Sequence, residues 1–258
     1  MEAPRAVVLA GGRGTRLAPY TQVFPKPLVP VGGMPIIEIV LRQLRWYGVR
    51  EVVLSVGYLA ELIEAYFQTR PLPGIEISYL HESKPLGTAG ALALLDRTDD
   101  NLLVVNGDVL TTLDFGKMIE FHLERKPALT IGVHRKSVKV DLGVLQVDPS
   151  SSVVGYDEKP SLHYLCSMGI YLYSRAALDA IEPGERLDFP DLVLRMLEQG
   201  RTALAYQSGC YWLDIGRHDD YERAMEEFIR MRSSFLPDEM EVEQEAVDVQ
   251  QYAANGRG

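Results

Sequence analysis

The chain opens with short apolar runs that alternate with stretches in which apolar residues recur at helical spacing. The short runs stop at glycine, proline or polar clusters, which predicts strands over 5–9, 51–56, 75–80 and 102–105. The stretches of helical spacing predict helices over 35–46, 59–67, 87–95 and 115–123. Because strands and helices alternate, we expect a mostly parallel sheet with helices on both faces, a Rossmann-like three-layer α/β sandwich.

The pattern changes after Pro127, where short strands follow one another with turn residues between them. These strands are predicted over 129–133, 143–147, 153–156 and 169–173, and they make the central sheet a mixed one. A helix over 190–198, a strand over 203–206 and a helix over 219–232 complete the prediction. We therefore expect residues 1–234 to form a single domain.

The last stretch of the chain, residues 235–258, has a different composition. It is acidic and of low hydrophobicity. A segment of this kind buries too little apolar surface to offset the entropy of ordering its backbone. An acidic, disordered tail is therefore predicted.

Composition places the chain among ordinary globular proteins: of its 258 residues, 47% are hydrophobic and 24% are charged. No apolar run approaches the roughly 20 residues that a membrane helix needs, and the N-terminus lacks the basic start of a signal peptide. The two cysteines, Cys166 and Cys210, give neither a disulfide framework nor a Cys-x-x-Cys metal motif. We expect a cytoplasmic protein with no membrane partner.

The formal net charge of −10 bears on the choice of partner. A polyanion is repelled by such a field, so nucleic acid is not expected as a partner. Small phosphorylated ligands remain compatible with the charge if basic residues are concentrated in one cleft. The sequence does not decide between a monomer and a homo-oligomer, and a homo-oligomer is possible.

The most informative stretch is rich in glycine and follows the first predicted strand. It reads Leu-Ala-Gly-Gly-Arg-Gly-Thr-Arg-Leu over 9–17 and continues with Phe-Pro-Lys-Pro-Leu-Val-Pro over 24–30. Glycines at this place let the backbone approach a nucleotide, with N–H groups free to bind phosphate oxygens. Arg16 and Lys26 add cations, and the prolines on either side of Lys26 restrict the backbone that carries its ammonium. The alternative is a flexible surface turn.

Two familiar phosphate-binding motifs do not fit this stretch. A Walker loop requires Lys-Ser or Lys-Thr after its last glycine, and no such pair follows here. A dinucleotide-binding fingerprint requires a third glycine where Leu17 stands.

Gly-Gly-x-Gly-Thr-Arg-Leu followed by Lys-Pro resembles the signature of the sugar-1-phosphate nucleotidylyltransferases, and the resemblance runs from about Arg5 to Arg232. It implies a GT-A-like fold and a Mg²⁺-dependent enzyme that joins a nucleoside triphosphate to a sugar 1-phosphate and releases pyrophosphate. It also implies that Arg16, Lys26 and Asp108 act in catalysis. The nucleotide-binding residues that it implies are Leu9, Ala10, Gly11, Gly12, Gly14, Thr15, Arg16, Lys26, Glu82, Gly87 and Thr88.

Two aspartates, Asp108 and Asp214, lie at the ends of apolar runs. Carboxylates at strand ends in the crevice of an α/β sheet are well placed to hold Mg²⁺ against phosphate oxygens. An aspartate in a turn or at a helix N-cap is the alternative for each, and the resemblance assigns both to the metal. Glycosyltransferases of similar architecture usually carry Asp-x-Asp, and Asp108 is followed by Val109 and Leu110, which favours synthesis of a nucleotide sugar over its use.

The sugar side is indicated by Glu-Lys-Pro over 158–160, which resembles a family motif. By the resemblance, Lys159 holds the phosphate of the sugar 1-phosphate and Glu158 accepts hydrogen bonds from sugar hydroxyls. On its own the motif is also compatible with a solvated pair before a turn. Ser167 stands where the family commonly has asparagine, which leaves the sugar undefined. The implied sugar-phosphate residues are Asn106, Gly143, Glu158, Lys159 and Ser167.

The base is indicated by His-Glu-Ser-Lys-Pro-Leu-Gly-Thr-Ala-Gly over 81–90, which looks like the base-reading segment of mannose-1-phosphate guanylyltransferases. Thr88 stands where thymidylyltransferases usually carry glutamine, which argues against dTTP. The Glu82 carboxylate can accept both N1–H and the exocyclic amine of guanine. GTP is therefore favoured, and UTP, dTTP, CTP and ATP stay as alternatives. A Glu82 side chain that faces solvent and does not bind the base is the alternative interpretation of this residue.

The remaining candidates add no chemistry. The five histidines show no metal-ligand spacing and are expected at the surface or in loops, and both tryptophans are expected in the core. A function of another class, a non-catalytic paralogue that binds nucleotide sugars, stays open. The presence of both metal carboxylates weighs against it, because a binding module does not need them.

Overall fold

The computed structural model describes residues 3–82, 84–96 and 99–239. Its centre is a seven-stranded sheet in the order β12-β8-β11-β6-β1-β4-β5. The strands are β1 Ala6–Leu9, β2 Pro30–Val31, β3 Met34–Pro35, β4 Glu51–Val56, β5 Glu76–His81, β6 Asn101–Asn106, β7 Val109–Thr111, β8 Leu129–Lys139, β9 Val144–Val147, β10 Val153–Asp157, β11 Ser161–Ser174, β12 Ala203–Gln207 and β13 Trp212–Asp214. The helices are α1 Ile36–Trp46, α2 Ala60–Thr69, α3 Gly87–Gly90, α4 Phe115–Arg125, α5 Arg175–Leu178, α6 Phe189–Glu198, α7 His218–Arg230 and α8 Arg232–Phe235.

The central sheet is mixed, with β11 running against its neighbours. β1 pairs in parallel with β4 and β6, and β4 pairs in parallel with β5. β11 pairs antiparallel with β6 and β8, while β12 and β8 are parallel. The predicted mostly parallel, mixed sheet is confirmed.

Successive side chains of a strand point to opposite faces of the sheet, and the inner strands are apolar at both sets of positions, so a hydrophobic layer covers each face. On one face, Val8 and Val105 pack with residues of α1, α2 and α4. On the other face, Val7 and Val104 pack with residues of α5 and α6. All four valines are fully buried, as expected for parallel strands covered on both sides, and the three-layer sandwich is confirmed.

A third hydrophobic cluster lies beside the sheet and supports the glycine-rich region. It joins Leu17 and Val29 to Leu110 and Leu213 of the two-stranded β7–β13 ribbon, and to Phe228 of α7. The short strands β2, β3 and β7 were not predicted, because two or three residues are too few to show a period, whereas the apolar run before Asp214 corresponds to β13.

β8 and β11 extend well beyond the strands predicted for them. The prediction covered 129–133 and 169–173, the parts that lie in the central sheet, whereas the strands run on to Lys139 and begin at Ser161. Residues 134–167 leave the body of the sheet as an arm, formed by the outer parts of β8 and β11 and by the β9–β10 hairpin. Its apolar side chains are exposed, Leu145 by 54% and Tyr156 by 61%, which is why burial patterns did not reveal the full strands.

The predicted helix over 87–95 is wrong as a single element. Residues Gly87–Gly90 form one α-turn, and Ala91–Leu94 continue as a 3₁₀ helix. Gly87 has a φ of +82°, and a Cβ on Gly90 would lie 2.6 Å from the Glu185 carbonyl oxygen. The close approach of the 185–188 backbone therefore fixes an irregular helix where the spacing suggested a regular one.

The expectation that every histidine lies at the surface or in a loop is wrong for His122. This residue of α4 is 1% exposed, its Nδ1 lies 2.8 Å from the Thr130 hydroxyl, and its Nε2 lies 3.1 Å from Asn101 Oδ1. Burial lowers the pKa of His122 to about 4. The imidazole is a neutral hydrogen-bonding bridge between α4 and two sheet strands.

The C-terminal region of the described chain packs onto the domain as far as Glu239, the last residue described. Phe235 and Leu236 are fully buried, and Asp238 accepts a hydrogen bond of 2.9 Å from Arg42 of α1. Residues 240–258, most of the predicted acidic tail, lie outside the described residues. Among the described residues, no helix is both long and apolar enough to cross a membrane.

Candidate functional site

The site lies where β1 and β6 end side by side. In their parallel pairing Leu9 is opposite Asn106, so the residues that follow both strands meet at the carboxyl edge of the sheet. A Cβ on Gly107 would lie 3.0 Å from the Leu9 carbonyl oxygen, and the two turns therefore lie against each other. This edge is where α/β sheets bind ligands.

A cavity of about 290 Å³ opens at this edge. Of the residues predicted to bind nucleotide, the structure brings a large group to its walls: Leu9, Ala10, Gly11, Gly12, Lys26, Glu82, Gly87 and Thr88. Pro27, Ser55 and Pro85 complete the wall together with Asn106 and Asp108. The first three were not predicted, because nothing in their local sequence pattern marks them.

Gly14, Thr15 and Arg16, also predicted to bind nucleotide, do not line this cavity, and Gly14 has a structural role. It adopts a φ of +60°, and its carbonyl accepts a hydrogen bond of 2.8 Å from the Thr21 hydroxyl. A Cβ on Gly14 would lie 2.9 Å from Cβ of Lys26. The glycine therefore lets the loop pack against the stem of the lysine.

Lys26 and the two aspartates form the charged centre of the site. The Lys26 side chain is nearly buried, its ammonium forms an ion pair with Oδ2 of Asp108, and it lies 3.9 Å from Oδ1 of Asp214. Burial raises the pKa of Asp214, the neighbouring Asp108 carboxylate raises it further, and Lys26 and Arg16 oppose the shift. Two carboxylates thus share one cation.

The β7–β13 ribbon brings the two aspartates together. Asp214 ends β13 and pairs with Val109, and the backbone N–H of Ile215 donates to the Asp108 carbonyl at 3.1 Å. The sequence placed each aspartate at the end of an apolar run, but it could not show that the two runs pair.

The charged centre suits a hard divalent cation. Oδ1 of Asp108 is buried and has no hydrogen-bond partner among the described residues, which leaves it available to a ligand. No group of three or more acidic, histidine or cysteine side chains that could hold a metal occurs in the described part of the chain. Mg²⁺ is commonly held by one or two carboxylates together with water and substrate phosphates, and Asp108 and Asp214 fit that pattern.

A second cavity, of about 260 Å³, continues from the first across Asp108. Arg16, Asn106, Ser167 and Asp214 line it, so these predicted residues are brought together. Asn106 packs against Gly169, where a Cβ would overlap its amide.

Trp212 also lines the second cavity, although both tryptophans were expected in the core. It is half-buried, and its indole N–H donates to the Met168 carbonyl at 2.8 Å. Its position two residues before Asp214 was the sequence signal that could have placed Trp212 at the site. Trp46, the other tryptophan, is exposed by 36% on α1.

The other predicted sugar residues lie on the arm and line neither cavity. Glu158 and Lys159 are exposed, with 3.9 Å between Oε1 and the ammonium nitrogen. The Tyr156 hydroxyl donates to Glu158 at 2.8 Å, and a Cβ on Gly143 would overlap that hydroxyl. The structure therefore explains Gly143 by packing, and the roles of Glu158 and Lys159 stay predictions.

Glu82 faces the first cavity, and solvent is not its main contact. Its Oε1 accepts a hydrogen bond of 3.2 Å from the Ser55 hydroxyl, and its Oε2 accepts one of 2.9 Å from the backbone N–H of Leu86. Each carboxylate oxygen has a further lone pair for a ligand. Thr88 is also held, because its hydroxyl accepts the N–H of Phe189 at 2.8 Å.

Proteins of known function resemble this chain at about one-third identity. It is 32% identical over 243 residues to UTP–glucose-1-phosphate uridylyltransferase from Synechocystis, 86% of this chain and 62% of the relative. It is 32% identical to mannose-1-phosphate guanylyltransferase from Mycobacterium tuberculosis, over 87% of this chain and 64% of the relative. The chain thus spans less than two-thirds of the length of these two relatives.

A third relative matches almost end to end. The chain is 32% identical to D-glycero-α-D-manno-heptose 1-phosphate guanylyltransferase from Aneurinibacillus thermoaerophilus, over 86% of this chain and 97% of the relative. Among solved structures, HddC from Yersinia pseudotuberculosis complexed with GMP-PN superposes with a TM-score of 0.68 at 28% identity, covering 88% of this chain and all of that one. The family model described as nucleotidyl transferase matches residues 5–230. This chain belongs to that nucleotidyl transferase family.

Proposed function

We propose that this protein transfers a nucleoside monophosphate from a nucleoside triphosphate, with GTP favoured, to a sugar 1-phosphate, and releases pyrophosphate. The observation that carries the proposal is the centre formed by Lys26, Asp108 and Asp214 between two joined cavities. Three relatives that catalyse sugar-1-phosphate nucleotidyl transfer, by their names, support it. A sugar of the hexose or heptose type fits the same relatives.

Each cavity takes one substrate in this proposal. The triphosphate binds in the first cavity, with Gly11 and Gly12 close to its phosphates, and the sugar 1-phosphate binds in the second. Asp108 is shared by both cavities, so the two phosphates meet beside it. Asp108 and Asp214 would hold Mg²⁺, which would supply charge neutralisation on the phosphate oxygens.

The chemistry is an in-line displacement at the α-phosphorus. An oxygen of the sugar phosphate forms a bond to the α-phosphorus as the bond to the bridging oxygen of pyrophosphate breaks, and the electron pair leaves with pyrophosphate. Lys26 and Arg16 place positive charge where negative charge develops. The chain supplies no covalent group in this step.

The preference for GTP rests on Glu82. Its two oxygens already accept hydrogen bonds that fix the carboxylate toward the first cavity. The fixed carboxylate can accept N1–H and the exocyclic amine of guanine, a pair of donors that adenine and the pyrimidines do not present together. The guanylyltransferase relatives support this choice, and the uridylyltransferase relative keeps UTP as the alternative.

The experiment is pyrophosphate release with Mg²⁺, in which GTP, UTP, dTTP, CTP and ATP are crossed against hexose, hexosamine and heptose 1-phosphates. We expect release that requires both a triphosphate and a sugar phosphate, and that is fastest with GTP. Release without a sugar phosphate, or none from folded protein in any combination, would contradict the proposal. Calorimetric binding of a nucleotide sugar without turnover would then identify the non-catalytic paralogue.

A further inference from the structure

A third, larger cavity of about 1200 Å³ adjoins the proposed acceptor site. It shares Arg16, Trp212 and Asp214 with the second cavity, and it shares no lining residue with the first. The three cavities therefore follow one another in space, with the pair Asp108 and Asp214 between the nucleotide side and this one.

The third cavity is rich in cations that have no counter-charge. Arg135 and Lys136 of the arm line it, as do Arg217 and Arg223 at the start of α7 and within it. Among the described residues, none of these four lies within 4.0 Å of a carboxylate, although Asp214 and Asp220 also line the cavity.

Several other arginines of the protein are paired with carboxylates, unlike these four cations of the cavity wall. Arg42 binds Asp238 at 2.9 Å, and Arg195 binds Glu185 at 2.7 Å. The chain as a whole carries a net charge of −10. In such a protein, four unpaired cations around one cavity concentrate positive potential at one place and favour an anionic ligand there.

The position of the cavity indicates which substrate carries that anion. In an in-line displacement the attacking oxygen and the leaving pyrophosphate lie on opposite sides of the α-phosphorus. With the nucleotide in the first cavity, the acceptor in the second cavity lies beside Asp214 and Trp212, which also line the basic cavity, so its far end would extend toward that cavity. The 1-phosphate itself is engaged at the aspartate centre.

We propose that the preferred acceptor is a sugar 1-phosphate with a second anionic group remote from C1, and that the basic cavity binds this group. This inference rests on the proposed nucleotidyl transfer. A carboxylate, as in a uronic acid, and a second phosphate are the two sources of such a group. Guanidinium groups bind either one through paired N–H donors.

The test compares three acceptors with the same triphosphate: glucose 1-phosphate, glucuronic acid 1-phosphate and glucose 1,6-bisphosphate. We expect kcat/KM to be at least about tenfold higher for one of the two charged sugars than for glucose 1-phosphate, the range of a charge-assisted hydrogen bond. The charged sugar that gains more identifies the carboxylate or the phosphate as the ligand. A preference for neutral glucose 1-phosphate over both would overturn the proposal.

Arg223→Ala is the informative variant, because its side chain is exposed and its loss does not disturb the core. We expect it to lower the charged-to-neutral ratio of kcat/KM about tenfold. The matched control is Arg125→Ala, an exposed arginine of α4 that lines none of the three cavities and should leave the ratio unchanged. Equal ratios in wild type and Arg223→Ala would contradict the assignment.

A binding measurement separates this inference from the proposed reaction. Glucose 1,6-bisphosphate and glucose 1-phosphate are titrated by calorimetry into the folded wild type and into Arg223→Ala. Tighter binding of the bisphosphate that is lost in the variant supports the basic site even where no sugar phosphate turns over, in which case only the proposed reaction fails. Equal affinity of wild type and variant for the bisphosphate overturns the basic site itself.

Discussion

The two lysines predicted to contact phosphates lie in very different surroundings. Lys26 is 8% exposed, packs its stem against the Gly14 loop and forms an ion pair with Asp108. Lys159 lies on the arm, is exposed, and has the Glu158 carboxylate at 3.9 Å as its nearest counter-charge. The fold thus positions the first lysine before a ligand arrives, whereas the second must lose side-chain freedom on binding.

The difference indicates how the site is divided between the packed domain and the arm. Residues held by the sheet and the β7–β13 ribbon contribute charge at fixed positions, which is what stabilisation of a transition state requires. The predicted role of the exposed residues on the arm is recognition, where the cost of ordering their side chains would reduce affinity. Variants of the two groups should therefore affect different kinetic constants.

The largest effect is expected at the packed centre. Asp108→Asn removes a proposed metal ligand and Lys26→Ala removes the cation beside it, so each should lower kcat by about 10³-fold or more. Steady-state pyrophosphate release measures the loss, and a melting curve checks that the fold is intact. Normal rates in a folded variant would contradict the assignment of the centre.

His122 tests the packed domain through its pH dependence. Its folded pKa is about 4, below the unfolded value of about 6.5, so below pH 6.5 the unfolded state takes up a proton that the folded state does not. The free energy of unfolding should fall by roughly 2–3 kcal/mol between pH 6.5 and 4, and the contribution is complete above pH 6.5. Urea unfolding at several pH values measures the fall.

A matched variant isolates the contribution of this histidine. His122→Gln keeps a polar side chain that can bind Thr130 and Asn101 but does not titrate. Its unfolding free energy should depend less on pH over the same interval. Identical pH profiles for wild type and variant would assign the acid sensitivity to other groups.

Lys159→Ala tests the arm. Loss of a charge-assisted contact to the sugar phosphate should raise KM for the sugar 1-phosphate about tenfold to a hundredfold and leave KM for the triphosphate unchanged. The melting temperature should not change, because the side chain is exposed. Equal changes in both KM values would remove the distinction between arm and packed domain.

The smallest effect is expected for Glu82→Gln, which changes the choice of base and not the reaction. An amide offers one acceptor where the carboxylate offers two, so the ratio of kcat/KM for GTP over UTP should fall about tenfold. The measurement is competition between the two triphosphates. An unchanged ratio would show that Glu82 does not read the base.

The sequence predicted the packed part of the molecule better than the arm. Val7 and Val104 lie in runs that are buried in the sheet, so their pattern reported the fold correctly. Val153 and Val154, by contrast, are 61% and 65% exposed on the arm, and apolar patterns there could indicate strands but not where those strands lie. The length over which β8 and β11 pair, and the direction of the arm, depend on contacts between segments that are distant in sequence. The local periodicity of apolar residues carries no information about such contacts.

The site shows the same limit. The glycines after β1 and the lysine between prolines predicted a phosphate-binding loop, and Gly11, Gly12 and Lys26 line the first cavity, because this signal is local in sequence. The approach of Asp214 to Asp108 depends on a ribbon of three-residue strands, and the basic cavity depends on Arg135 of the arm meeting Arg223 of α7. Such groupings join residues roughly a hundred positions apart and leave no local signal.

The hydrogen bonds of Gln43 limit how far the chain can be truncated from its C-terminal side. Its amide nitrogen donates to the Thr111 carbonyl at 2.7 Å and to the Phe235 carbonyl at 2.9 Å, so it ties the ribbon that holds Asp214 to the chain beyond α7. The family match stops at residue 230, ahead of the buried Phe235 and Leu236. A protein shortened to the matched boundary would expose the third hydrophobic cluster to water and loosen the ribbon that carries Asp214, so a stable fragment should include Phe235 and Leu236.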